Sequence, residues 1–362
     1  MFTLEARTLP SVRAMWLAPL AALLLTLLGG SVLFAAFGHA PLQALSVYFL
    51  QPLASVYGIG EWLLKATPLA LCGLGLALGF RAKVWNIGAD GQFTLGAICA
   101  GGLAIACDGF IDAESLWIAP AMALAGIAGG MMWAALPAWL RTRYGSSEIL
   151  SSLMLAYVAP LLLGWLVNGP WRDPAGFNFP QSIQFADAAL LAPLHEGARV
   201  TLAFPVALIL AGLLCFVQRY TYAGFRLQVS GEAPLAARHA GYSQRAAVWI
   251  AMLTGGACAG FAGYAEVAGP LGQLQPSVSP GYGFTAIIVA FVGRLDPRGV
   301  VLAALLLSLL ALGGEAAQMT LDLPAAISGV FQGGLLCALL ACDTFVHYRL
   351  RRVYRKPAAR TS

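Results

Sequence analysis

The stretch RAKVWNIGADGQFTLGA, Arg81 to Ala97, places Asn86, Asp90 and Gln92 within seven residues, interleaved with Gly88 and Gly91 and set between two long apolar runs. Polar side chains inside a membrane are costly and need a structural or functional reason. That the setting is a membrane follows from the rest of the chain. Its 362 residues are 59% hydrophobic and only 10% charged, with a mean hydropathy of +0.77, far from the balance of a soluble globular domain. A hydrocarbon core about 30 Å thick takes about 20 helical residues per crossing. The fold class is therefore all-α, a polytopic transmembrane helical protein.

Outward from that stretch, apolar runs at residues 14–37, 62–80, 86–107, 115–140, 147–167, 200–218, 247–268, 281–293, 299–317 and 324–346 predict about ten spans. The first run is longer than the roughly 7 to 15 residues of a secretory signal core and reads as a retained helix. A cytoplasmic N-terminus puts eighteen of the 21 Lys and Arg residues on the inner side, leaving only Lys65, Arg172 and Arg199 outside. That split follows the positive-inside rule and makes both termini cytoplasmic. The outer loops carry acids instead, Asp108, Asp112 and Glu114 in one and Asp173, Asp187 and Glu196 in the longest. The net charge of +5 comes from basic residues beside span ends, which argues against a nucleic-acid partner and for membrane lipid.

Three features break the pattern of plain spans. The run at 281–293 is too short to cross alone, so it must be backed by protein or preceded by a helical piece in the outer loop. The polar segment Asn86 to Gln92 opens the third span. The inner segment 219–246 is far longer than the inner turns at Arg81 and Arg141. A glycine-rich opening on the inner side, NIGADGQ, and one on the outer side, SPGYGF from Ser279 to Phe284, suggest inverted halves formed by spans 2–5 and 7–10, an arrangement of alternating-access transporters.

Within the inner segment, SGEAPLAARHAG reads as a short helix: Ser230 caps, Glu232 suits the positive N-terminal end, Pro234 fits the first turn, and Gly241 closes it. Two turns have little stability alone, so the helix must pack on something. Leu235 is its one large apolar side chain, too little for a membrane-seeking face, which favours docking on a partner protein.

No GxxxxGK[ST] loop is present to cradle ATP, and no HExxH or GxSxG motif appears; the four histidines lie far apart, so the sequence offers no catalytic constellation. The seven cysteines show no CxxC spacing and suggest no metal. The chain reads as a non-enzyme that binds no cofactor of its own.

Four segments in order resemble the permease subunits of bacterial ABC importers of the branched-chain amino acid, simple-sugar and nucleoside group: NIGADGQFTLGA, GSSEILSSLMLAYVA (Gly145 to Ala159), TYAGFRLQVSGEAPLAARHAGY (Thr221 to Tyr242) and GYGFTAIIVAFVGRLDPRG (Gly281 to Gly299). The length and first two motifs look most like the larger permease of nucleoside importers. The resemblance implies one transmembrane permease domain over residues 1–362, with a cytoplasmic coupling segment at 219–246 and a basic cytoplasmic tail at 347–362. It also implies a second related permease, an external substrate-binding protein, and separate ABC ATPase subunits that carry ATP and Mg. Gly231, Glu232, Pro234, Ala237, Arg238 and Gly241 would form the part that meets the ATPase. The chain departs from the pattern at Asp90, where Glu is usual, at Ser147 and Ile149 around Glu148, and at Ala156 and Ala233, where Asn is expected.

The expected function is transport of nucleosides or a related purine or sugar compound across the inner membrane, without catalysis by this chain. An ion-coupled secondary transporter is the alternative, since a buried acid such as Asp90 can carry a proton. Asn86, Asp90, Gln92 and Phe284 are the substrate-pathway candidates. Asn86 and Gln92 can equally serve to satisfy unwound backbone, Asp90 lies within possible reach of Arg81 or Lys83 near the inner boundary, and Glu148 suits a cap on the fifth span.

Overall fold

The computed structural model describes residues 2–6, 12–109, 115, 117–195 and 197–352. Arg7, Asp112, Glu114, Glu196 and positions 353–362 of the basic tail lie outside the described residues. In chain order the elements are β1 (Phe2–Ala6), α1 (Val12–Ala36), α2 (Pro41–Phe49), α3 (Val56–Arg81), α4 (Ala89–Ala106), α5 (Ile118–Tyr144), α6 (Glu148–Asn168), β2 (Pro193–His195), β3 (Ala198–Thr201), α7 (Ala203–Tyr220), α8 (Tyr222–Glu232), α9 (Pro234–His239), α10 (Gln244–Glu266), α11 (Tyr282–Val292), α12 (Pro297–Leu321), α13 (Ile327–His347) and β4 (Tyr348–Arg352).

The architecture is the all-helical, multi-pass one that the sequence predicts, and each of the ten apolar runs carries a helix. Among the described residues, α3, α4, α5, α6, α7, α12 and α10 with its extension to Leu271 are long and apolar enough to cross a membrane. An eighth span forms if Leu20–Ala36 and Pro41–Leu53, bent by 119°, count as one. The bend and α2 are not in the sequence reading; Gly38, at φ +83°, turns the chain where α1 ends. Helix α11 has 11 residues, about 16 Å, and is backed by protein as its shortness requires: it packs on α3 and α4.

The chain divides into two compact units, residues 1–51 with 313–362, and residues 52–312. In the first, α1 packs along α13, Phe34, Tyr48 and Phe331 cluster, and β1 pairs antiparallel with β4 from Phe2 opposite Arg352 to Ala6 opposite Tyr348. That pairing sets both ends of the described chain side by side.

In the second unit α10 is the central helix, packed against α3, α4 and α5. Small residues let these backbones approach, the packing mode that serves where lipid offers no hydrophobic drive. At Gly260 an added Cβ would run into the carbonyl of Gly126 and the Cα of Gly130 on α5. Leu78, Val84, Ala134, Ala138, Leu227, Val248, Ala251 and Met252 form one buried cluster that joins α3, α5, α8 and α10.

Candidate functional site

After α3 the chain does not run on at the inner boundary. Lys83 adopts a left-handed φ of +53°; its N–H donates to Phe80 O at 3.0 Å, and that of Val84 to Gly79 O at 2.9 Å. This reversal folds residues 84–88 back alongside α3. The amides of Asn86 and Gln92, both buried, then bond each other reciprocally at 2.9 and 3.0 Å, and Asn86 Oδ1 also accepts from Gly88 N at 3.0 Å. They thus satisfy non-helical backbone and one another.

Asn86 Nδ2 lies against Gly255, where an added Cβ would sit 2.9 Å away. Gly255 is eleven residues into α10, about 16 Å from its start. The reversal at Lys83 therefore places this segment against the middle of α10.

Asp90 sits in the first turn of α4. Its Oδ1 accepts from Ser279 Oγ at 2.7 Å and from Gly283 N at 3.0 Å. The Ser279 hydroxyl in turn accepts from the N–H groups of Gly281 and Tyr282, each at 3.1 Å. These are the unpaired donors at the start of α11, and an acid oxygen there also suits the helix dipole. The approach is tight: a Cβ on Gly283 would overlap the backbone of Asp90, and Gly281 takes φ +95° to start the helix. Asp90 is thus bonded to the start of α11, instead of the expected Arg81 or Lys83. The two glycine-rich openings, read from the sequence as lying on opposite sides, meet at their helix N-termini because each irregular segment runs into the protein before its helix begins.

The same segment docks on α6. Ile87 N donates to Ser152 Oγ at 3.1 Å and Trp85 N to Glu148 Oε1 at 3.3 Å, while Glu148 also pairs with Arg141 at the end of α5. Gly88 is close enough to α6 that a Cβ would come within 2.8 Å of Ser152 O. The cap of α6 is Ser147, which accepts from Leu150 N, so the expected capping role of Glu148 is replaced by a tie between α5, α6 and Trp85. Trp85, Phe80 and Phe291 pack as one aromatic group, with centroids 5.1 to 6.1 Å apart.

The inner segment holds two helices where the sequence predicts one. Thr221 caps α8, which runs through Ser230, Gly231 and Glu232; the break falls at Ala233, and Pro234 opens α9. Ser230 is therefore no cap, and Glu232 ends a helix, accepting from Gln228 at 2.9 Å. Pro cannot continue α8 because its ring excludes the helical conformation of the residue before it. Gly241, at φ +79°, closes α9 as expected. Gly231 packs so tightly on Arg81 and Ala82 that a Cβ would overlap them. Ala237 is buried, while Glu232, Pro234, Leu235 and Arg238 are exposed. Arg226 lies between the rings of Tyr222 and Tyr242, 5.6 and 5.2 Å from their centroids.

Phe284 is half-buried on α11, with its ring centroid 6.4 Å from that of Tyr157 on α6, a side chain 60% exposed. Above them, residues 272–281 are non-helical, with Pro276, Ser277 and Pro280 exposed. The long outer loop holds this segment in place: Ser182 exchanges hydrogen bonds with Leu274, and Phe185 N donates to Gly272 O. Sequence reasoning missed Ser152, Tyr157 and Arg141 as parts of the site. The Gly145–Ala159 motif contains Ser152 and Tyr157, but Arg141 lies outside it, and the partners of all three come from other elements.

In this arrangement the N-termini of α4 and the 11-residue α11 meet inside a packed helical protein. Residues 58–340 match the family described as branched-chain amino acid transport system / permease component, and the chain belongs to that family. It is 36% identical to the glucose ABC transporter permease protein TsgB13 of Haloferax volcanii, covering 95% of this chain and 92% of that one. It is 30% identical to the guanosine ABC transporter permease protein NupP of Bacillus subtilis, over 82% of this chain and 85% of the relative. The nucleoside ABC transporter permease protein NupB of Lactococcus lactis is 27% identical over 82% of this chain and 83% of its own.

Proposed function

We propose that this chain is the membrane-spanning permease subunit of an ATP-driven importer that moves a nucleoside, or a related purine or sugar compound, across the inner membrane by alternating access. A second related permease, separate ATPase subunits and an external substrate-binding protein complete the transporter, and the chain's termini face the cytoplasm. The chain catalyses nothing itself. The observation that carries the reading is the packing of Gly231, in the last turn of α8, onto Arg81 and Ala82.

From Ala82 the chain leads directly into the reversal at Lys83 and the start of α4, where Asp90 holds α11. Movement of an ATPase against the exposed face of α9 would pass through Gly231, and through Leu227 in the cluster with Val84, into α4 and α11. Those helices move as a pair because Asp90 bonds them. The substrate meets the face of α6 and α11 that carries Tyr157 and Phe284. Non-helical backbone such as 272–281 is tolerated within a membrane only against protein or a water-filled path, which points that face away from lipid. Aromatic faces stack on a base or on the apolar face of a sugar ring.

The test is uptake into liposomes holding the complete complex, with labelled guanosine, cytidine, ribose and glucose offered in competition. The reading expects uptake that needs ATP on the ATPase side and competition by nucleosides or sugars. Uptake by this chain alone, driven by an ion gradient without ATP, would establish the secondary-transporter alternative instead.

A further inference from the structure

We propose that the groove between α7 and α12 is a binding site for one anionic phospholipid of the inner leaflet. The groove has a volume of 490 Å³ and a floor of Ala211, Gly212 and Cys215 between walls that include Phe216 and Leu302. Phe216 and Leu302 are 57% and 69% exposed. Small residues on one helix leave a trough that no side chain of this unit fills.

The ends of the groove differ. One end carries Tyr220 and Arg298. Arg298 N donates to Asp296 Oδ1 at 3.1 Å, while the other oxygen of Asp296 is held by Arg219 at 2.7 Å. The carboxylate is therefore taken, and the exposed Arg298 guanidinium has no side-chain partner among the described residues. Arg294 stands exposed in the same turn. Basic groups at the cytoplasmic mouth of a groove between spans are suited to a lipid phosphate, and a tyrosine hydroxyl adds a donor at headgroup level.

The other end is apolar. From Tyr220 to Leu208 the groove follows twelve residues of α7, about 18 Å, close to the depth of one leaflet in a hydrocarbon core of about 30 Å. A cation at the mouth and an apolar trough one leaflet deep match a phospholipid with its phosphate on Arg298 and one acyl chain along Gly212. A protein helix would need no unpaired arginine at that point.

Native mass spectrometry of the purified complex, titrated with phosphatidylglycerol or phosphatidylcholine of equal chain length, tests this. Wild type is expected to hold one phosphatidylglycerol with a preference of about fivefold over phosphatidylcholine, the weight of one well-placed arginine. Arg298→Ala should abolish the preference and Gly212→Leu should block the bound lipid of either kind, whereas Arg245→Ala, on the exposed start of α10, should change neither. Equal binding of the two lipids by wild type, or an unchanged preference in Arg298→Ala, overturns the proposal. So does efficient cross-linking of Leu302→Cys to the second permease, which would make the groove a protein interface.

Discussion

Asp90 and Ser279 stand 189 residues apart in the chain and 2.7 Å apart in space. Their hydrogen bond joins the start of α4 to the start of α11, and Gly283 N adds a second bond to the same carboxyl oxygen. Removing the acceptor strands one buried donor, Gly283 N, and one part-buried donor, the Ser279 hydroxyl. Asp90→Ala should lower stability by about 3 kcal/mol, since bonds to an acid and unsatisfied donors each count for about 1 to 3 kcal/mol. Asp90→Asn keeps an accepting oxygen and should lose less. Thermal unfolding of the detergent-solubilised complex should rank wild type, then Asn, then Ala; an Ala variant as stable as wild type would remove the bond's structural role.

Gly283 tests the same joint by shape. A Cβ there overlaps the Asp90 backbone, and backbone cannot swing aside as a side chain can. Gly283→Ala should therefore reduce folded yield or transport sharply, whereas Gly212→Ala, with nothing within 4 Å of its added Cβ, should leave both near wild type. Yield by size-exclusion chromatography and uptake by the reconstituted complex are the measurements.

Much of this fold is legible in the sequence and much of the site is not, for a physical reason. Spans announce themselves because burial in lipid demands long apolar runs: all ten runs carry helices, though among the described residues only seven, or eight with the bent pair, are long and apolar enough to cross against the ten predicted. The partners of Asp90 and Glu148 come from elements that only the tertiary fold brings near, and local pattern holds no record of them. The reversal after α3 hangs on Lys83 in a left-handed conformation, which a lysine does not advertise as a glycine would. At the inner segment Pro234 and Gly241 did mark α9 correctly, but the continuation of α8 through Ser230 to Glu232 was hidden by the cap-like serine.

Gln218, near the end of α7, is buried with neither amide atom hydrogen-bonded among the described residues. An unsatisfied buried amide costs about 1 to 3 kcal/mol. Gln218→Met keeps the length and drops the polar atoms, so it should raise the unfolding temperature by a few degrees. A lowered temperature would show that the amide is bonded in the assembled protein.

Asp296 supplies a pH test outside the spans. Partial burial pushes its pKa up, but the hydrogen bond from Arg219 and that from Arg298 N outweigh this and hold it below the ordinary 3.8. A depressed folded-state pKa contributes stability above the unfolded value that is lost as pH falls through the folded one. The stability difference between wild type and Asp296→Asn should thus be full at neutral pH and fade only in acid below the usual carboxylate range. Unfolding measured across pH should show that trend; a difference that grows on acidification would contradict it.

An ATPase docked on α9 would drive this permease. The direct measurement follows ATP hydrolysis and substrate uptake together in the reconstituted complex, for wild type and for Arg238→Glu on the exposed face of α9. Wild type should show linked hydrolysis and uptake, and Arg238→Glu a loss of uptake of about tenfold or more, the effect of about 1.4 kcal/mol of lost coupling, with folding and membrane insertion unchanged. Full uptake by Arg238→Glu would contradict docking at α9, and wild-type uptake without ATP would contradict the claim as a whole.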